Sequence, residues 1–168
     1  MATRWFALLR AVVVSTLFVS IWVWLVPVWL ARRNQAELLP ERWWAIVPMT
    51  VGGVIMLRCI WDFAWRGLGT PLPLDPPRRL VVDGLYRWVR NPMYVGMGIF
   101  LIGEALLFPA ITRDYLLLLP ILWAIVTAFV MAYEEPTLRR LFGADYEEYL
   151  RNVGRWVPRV RPYTPTTK

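Results

Sequence analysis

Four long apolar runs alternate with polar segments along this chain, at residues 11–31, 43–61, 93–110 and 115–133. Each is 18–21 residues long, and roughly 20 helical residues cross the hydrocarbon core of a bilayer. A segment that spans lipid must satisfy its own backbone. The pattern therefore predicts an all-α integral membrane protein with about four transmembrane helices. The first run is too long for the core of a cleavable signal peptide, and Ala31-Arg32-Arg33 reads as a stop-transfer end.

The polar segments differ in kind. A short loop, 32–42, joins the first two spans, and a tight turn over 109–114 joins the last two. The loop from about 66 to 91 is long and holds Gly67, Gly69, Pro71, Pro73, Pro76 and Pro77. Within it, 80–86 predicts a small hairpin around Asp83-Gly84, so the loop is expected to be ordered. Asn91 and Pro92 predict an N-cap and a first helical residue for the third span. After the fourth span, Pro136 is expected to start a short amphipathic helix, 137–142, closed by Gly143. A second, 145–152, carries Tyr146, Tyr149 and Leu150 on one side, as in helices lying along a membrane surface. Residues 159–168, with two prolines and three threonines, predict a frayed tail. The chain reads as a single domain over 1–168.

Composition supports this picture: 58% of the 168 residues are hydrophobic and 11 are tryptophan. The net charge of +7 would point to nucleic acid in a soluble protein, but its placement favours membrane lipids. Thirteen of the 19 Lys and Arg lie in the N-terminus, the 62–92 loop and the C-terminal tail. By the positive-inside rule these segments face the cytoplasm, as in a multi-pass protein of a bacterial inner membrane. With no histidine, Ser-His-Asp triads, His metal sites and His general bases are excluded. The one cysteine, Cys59, cannot form an internal disulfide and reads as a buried apolar residue.

Polar chemistry concentrates at the mouths of spans three and four. Tyr86-Arg87-Trp88-Val89-Arg90-Asn91-Pro92-Met93-Tyr94-Val95-Gly96 crowds arginines and tyrosines against a helix start. Capping and lipid anchoring account for part of it. A helix N-terminus flanked by Arg87 and Arg90 also suits an anion. Glu134-Glu135 ends span four and reads either as solvated or as an acceptor for ligand hydroxyls or an amine. Glu104 lies inside span three, where an ionisable residue is either functional or held by a packing hydrogen bond. Arg58 and Asp62, one helical turn apart, are expected to pair. Gly96, Gly98 and Gly103 serve close helix packing or backbone access for a ligand. Tyr86, Trp88 and Tyr94 offer aromatic faces to a cation such as a sulfonium.

Read together, Asp83-Gly84-Leu85-Tyr86, Arg90-Asn91-Pro92-Met93-Tyr94-Val95-Gly96, Glu134-Glu135 and Phe142-Gly143-x-Asp145-Tyr146-x-x-Tyr149 resemble the isoprenylcysteine carboxyl methyltransferase family, in its prokaryotic, phospholipid methyltransferase-like form. The resemblance covers about residues 67–158. It implies S-adenosylmethionine as cofactor at the cytoplasmic face and a lipophilic or lipid substrate. It carries cofactor contacts over to Asp83, Gly84, Leu85, Tyr86, Asn91, Gly96, Met97, Gly98, Ile99 and Glu134. Arg90, Tyr94 and Glu135 are the candidate catalytic residues. Two positions depart from the family. Asn91 stands where the family has histidine, so it hydrogen-bonds but does not shuttle a proton. Val130 stands where the eukaryotic enzymes hold the substrate carboxylate with arginine. Two other readings accompany this one: an NADPH-dependent enzyme like the sterol reductases, using Arg78, Arg79, Arg87 and Arg90, and a non-catalytic membrane scaffold.

Overall fold

The structure, a computed structural model, describes Val13 and residues 20–62 and 79–164. The described residues are helical, without strands. A π-helical turn, Ile21–Leu25, leads into α1, Val26–Arg33. A 3-10 turn, Trp43–Ala45, leads into α2, Ile46–Asp62. After a 3-10 turn at Gly84–Arg87 come α3, Pro92–Leu107, and α4, Pro109–Phe129. A π-helical turn, Val130–Glu134, joins α4 to α5, Glu135–Asn152. Residues 11, 12 and 14–19 of the first apolar run, and residues 63–78, which take in the first half of the long loop, lie outside the described residues.

Among the described residues, two helices are long and apolar enough to cross a membrane: Trp43–Asp62, and the continuous helix Pro109–Asn152. Helix α3 is apolar but shorter. Helices α2 and α3 pack backbone to backbone. Gly52 sits directly on the Gly96 carbonyl, and a Cβ at Gly103 would lie 2.8 Å from Met49 N and 3.0 Å from Ala45 O. Small residues permit this approach, and van der Waals contact between close backbones is what holds helices together in lipid. Leu30, Ala31, Met56, Met97, Leu101, Ala105, Ile111 and Tyr115 form the core between α1, α2, α3 and α4.

Glu104 takes the packing role. It is 1% exposed and accepts a hydrogen bond from Tyr115 of α4 at 2.7 Å. The pairing of Arg58 with Asp62 is present at 3.2 Å, and Cys59 is buried as expected.

Four local expectations are corrected. The 80–86 hairpin does not form. Gly84 has φ +58°, but the chain continues into the 3-10 turn, because Val81 and Tyr86 bury against Cys59 and Tyr149 donates to the Tyr86 carbonyl at 2.7 Å. The segment packs on α2 and α5 rather than on itself. The turn between spans three and four is a single break at Phe108, φ −113° and ψ 90°, with α4 starting at Pro109. Thr112 Oγ1 closes it by donating to the Ala105 carbonyl at 2.6 Å. Nor does Pro136 restart the chain after a break: the helix runs on through the π-helical turn, and Pro136 sits in the first turn of α5. Gly143 does kink α5, with φ 51° and ψ −123°. Finally, residues 159–164 are not frayed: Arg159 N donates to the Trp88 carbonyl at 2.8 Å and Tyr163 N to the Arg87 carbonyl at 2.9 Å.

Candidate functional site

Helix α2 ends, and α3 begins, at the same end of the molecule where α4 runs into α5. That end gathers the 83–91 segment, Glu134-Glu135 and the C-terminal strap, residues 153–164. Each piece has a local cause. Pro92 occupies the first turn of α3, where its missing N–H costs nothing. The π-helical turn adds a residue to the helical repeat, a feature frequent at functional sites. It sends Glu134 toward α3 and Glu135 toward the strap.

Tyr94 donates its hydroxyl to Glu134 Oε1 at 2.6 Å. Oε2 of Glu134 has no hydrogen-bond partner among the described residues. Glu135 is buried between two guanidinium groups. Arg155 grips it with Nε at 2.7 Å and Nη2 at 3.0 Å, and Arg90 Nη1 reaches it at 2.9 Å. Burial pushes the Glu135 carboxyl upward, but the Arg155 hydrogen bonds and the charges of Arg90, Arg155 and Arg139 outweigh it and hold the group below the usual carboxylate range. Glu135 lies beyond the apolar stretch of its helix.

Asn91 does not cap α3 with its side chain. Its Nδ2 donates instead to the Arg155 carbonyl at 3.2 Å, because the strap brings that acceptor over the turn. Beside it, Arg90 N donates to the Gly154 carbonyl at 2.9 Å. Arg87 turns outward along the strap, donating to the Tyr163 carbonyl at 2.7 Å and to Thr164 Oγ1 at 3.0 Å.

The other sequence-derived candidates divide into two groups. Asp83, Gly84 and Leu85 sit on the end of α2, where a Cβ at Gly84 would come 2.6 Å from Asp62 Oδ2. Tyr86 is buried beneath them. On α3, Gly96 and Met97 face the helix core, whereas Gly98 lies one turn from Tyr94, its Cβ position 3.5 Å from the Trp123 ring. Gly98 and Ile99 are partly exposed.

Sequence reasoning missed Arg155 and Trp156. The Trp156 ring lies 4.6 Å from Trp123 and 6.3 Å, edge-on, from Tyr94. Charge balance carried a signal for Arg155, since a carboxylate pair packed at a helix junction needs cationic partners. No local pattern marked Trp156, which is distant in sequence from both rings it meets. Among the described residues no cluster of His, Cys, Asp and Glu could hold a metal ion.

Comparison with known proteins gives this end of the molecule its context. The chain is 34% identical over 139 residues to a protein of Oryza sativa subsp. japonica named probable protein-S-isoprenylcysteine O-methyltransferase, covering 77% of this chain and 71% of that one. A Schizosaccharomyces pombe protein-S-isoprenylcysteine O-methyltransferase is 35% identical over 81 residues, 48% of this chain. The match spans about a third of the yeast protein's length, 34%. No solved structure matches the chain at a significant level. Residues 41–145, which contain the 83–91 segment, Tyr94 and Glu134-Glu135, match the phospholipid methyltransferase family, and the chain belongs to that family of methyltransferases.

Proposed function

We propose that this chain is an integral-membrane methyltransferase that binds S-adenosylmethionine at its charged end and methylates a lipophilic or lipid acceptor. On this reading it crosses the membrane four times. The observation that carries the proposal is the Tyr94–Glu134 pair. It places a carboxylate with a spare oxygen beside the Tyr94 ring, which itself meets Trp156, at the mouth of two apolar helices. Such a donor set fits a cationic ligand that also bears hydroxyl and amino groups. S-adenosylmethionine, when bound, supplies an activated methyl group.

The protein's own contribution is binding and orientation, which accelerate bimolecular transfer by removing translational freedom. Glu134 Oε2 accepts hydrogen bonds from the ligand. Tyr94 fixes the Glu134 rotamer. Asn91 holds the strap over the turn. Gly98 leaves room beside Tyr94, and Gly96 and Met97 support that wall from the core. The 83–86 turn forms the opposite edge, with Gly84 close to Asp62. Glu135 bonds both Arg90 and Arg155, and the three together set the frame of the site.

Val130 bears on the acceptor. It is 1% exposed and packed inside the protein, so that position presents no cation to a substrate carboxylate. The arrangement favours an acceptor recognised by its lipophilic body. The arginines invoked for a reductase are differently employed, since Arg87 and Arg90 both bond to protein acceptors.

Calorimetry on the purified chain in detergent is the test. Saturable binding of S-adenosylhomocysteine is expected, weakened about tenfold or more by Glu134→Gln, consistent with a lost charged hydrogen bond of roughly 1.5–3 kcal/mol. Absence of binding by the folded wild-type chain would sink the proposal.

A further inference from the structure

The strap adds an aromatic wall that neither the 83–91 segment nor Glu134 explains. Trp156 is partly exposed and packs at 4.6 Å on Trp123, itself 37% exposed. Its edge meets Tyr94 at 6.3 Å, and Tyr94 bonds Glu134. Three aromatic rings from three different parts of the chain thus meet in series, and the last of them, Tyr94, reaches the Glu134 carboxylate. Their placement is not accidental to the strap. Arg155, the preceding residue, is clamped to Glu135 by two hydrogen bonds, and its carbonyl is held by Asn91. The chain entering Trp156 is therefore held at Arg155 by both its side chain and its carbonyl.

Tyr86 and Trp88, the other aromatic residues of the charged end, are placed differently. Tyr86 is buried against Cys59 and Val81. Trp88 is exposed and is tied to the strap through its carbonyl.

Aromatic faces attract a cation through their quadrupole, most strongly for tryptophan, and the attraction suits alkylated cations that carry no N–H to hydrogen-bond. A neighbouring carboxylate adds charge attraction without demanding a donor. We propose that Trp156, with Trp123 and Tyr94, forms a site for an onium group, an alkyl sulfonium or a quaternary or methylated ammonium, and that Arg155 is the residue that positions Trp156 for it. The inference rests on the methyl-donor reading for its first source, the donor's sulfonium. The second source is the ammonium of an acceptor.

The test compares ligands that differ by one S-methyl group and the positive charge it brings. S-adenosylmethionine carries the sulfonium, and S-adenosylhomocysteine the neutral thioether. Calorimetric dissociation constants are measured for both on the full chain, for wild type, Trp156→Leu, Trp156→Phe and Arg155→Met. Tetramethylammonium binding is followed in parallel by ligand-observed NMR. The expected result is that Trp156→Leu weakens S-adenosylmethionine about fivefold more than S-adenosylhomocysteine, as a cation–π contact predicts. Trp156→Phe should fall between, and Arg155→Met should follow Trp156→Leu. A merely structural role weakens both ligands equally, and the ratio is independent of the fraction of folded protein.

If the ratio stays fixed but tetramethylammonium binding is lost in Trp156→Leu, the site serves the acceptor's ammonium. If neither the ratio nor tetramethylammonium binding moves, the onium site is refuted. A wild-type chain that binds neither adenosyl ligand refutes the methyl-donor reading instead, and the tetramethylammonium arm alone then decides the onium site.

Discussion

Glu135 remains charged in a buried position because Arg155 and Arg90 surround it, and this makes its contribution to stability dependent on pH. Its folded pKa is depressed, against about 4.3 for an unperturbed glutamate. A group of this kind contributes its full stabilisation above the unfolded pKa, and loses it as pH falls through the lower folded value. The melting temperature of the detergent-solubilised protein should therefore fall on acidification below about pH 4, and Glu135→Gln should flatten that fall while lowering stability at pH 7. An identical acid limb in the variant would remove the ion triad as its cause. The Glu104–Tyr115 pair makes a different prediction. Tyr115→Phe strips a buried carboxylate of its donor and should cost about 1–3 kcal/mol, read as a lower melting temperature. Glu104→Gln keeps an acceptor for Tyr115 and should cost less. Both carboxylates were visible in the sequence as polar groups where polarity is expensive. Their partners were not, because Arg155 follows Glu135 by 20 residues through a kinked helix and a strap. Glu104 found its donor across the Phe108 break, where the sequence reading placed a longer turn.

The helices themselves were legible because their apolar runs are long, and their contacts were half legible through the glycines. Gly96 was read as serving packing or ligand access. Its neighbours decide part of the question: a Cβ there would come 2.7 Å from Ile55 Cγ2 and 3.0 Å from the Gly52 carbonyl. Gly53, on the same helix as Gly52, has nothing within 4 Å of its Cβ position. The two classes should part on substitution. Gly96→Ala and Gly103→Ala are expected to destabilise by about 1–3 kcal/mol through overpacking. Gly53→Ala should be neutral or stabilising by up to about 1 kcal/mol, since alanine loses less backbone freedom in a helix. Thermal unfolding of the three variants in one detergent checks the order, and equal effects would mean that α2 and α3 do not meet as described. What the sequence could not reveal at this scale is the fate of Asp83-Gly84. A local rule favours a hairpin there, and burial of Val81 and Tyr86 against another helix overrides it.

On the scale of the whole molecule, one end differs from the other in charge. The end that carries Glu134 also carries Arg87, Arg90, Arg155, Arg159 and Arg161. At the opposite end, Asn34 Nδ2 bonds Asp114 at 2.6 Å and Glu41 N donates to the Leu107 carbonyl at 3.1 Å, fastening the two short connections together. Positively charged loops stay on the cytoplasmic side during insertion. The strap and the proposed site should then face the cytoplasm, where a soluble cofactor is available. Val160 offers a direct reading, because it is 94% exposed on a strap held at Arg159 and Tyr163. The native Cys59 is buried and gives little background. A membrane-impermeant maleimide should label Val160→Cys in inverted membrane vesicles and not in intact cells. Arg113→Cys, at the other end, should show the reverse. If Val160→Cys were labelled in intact cells, the site would open away from the cytoplasm. The charge asymmetry would then have to be assigned to lipid binding on the far leaflet, and a cytoplasmic methyl donor would have no route to Glu134.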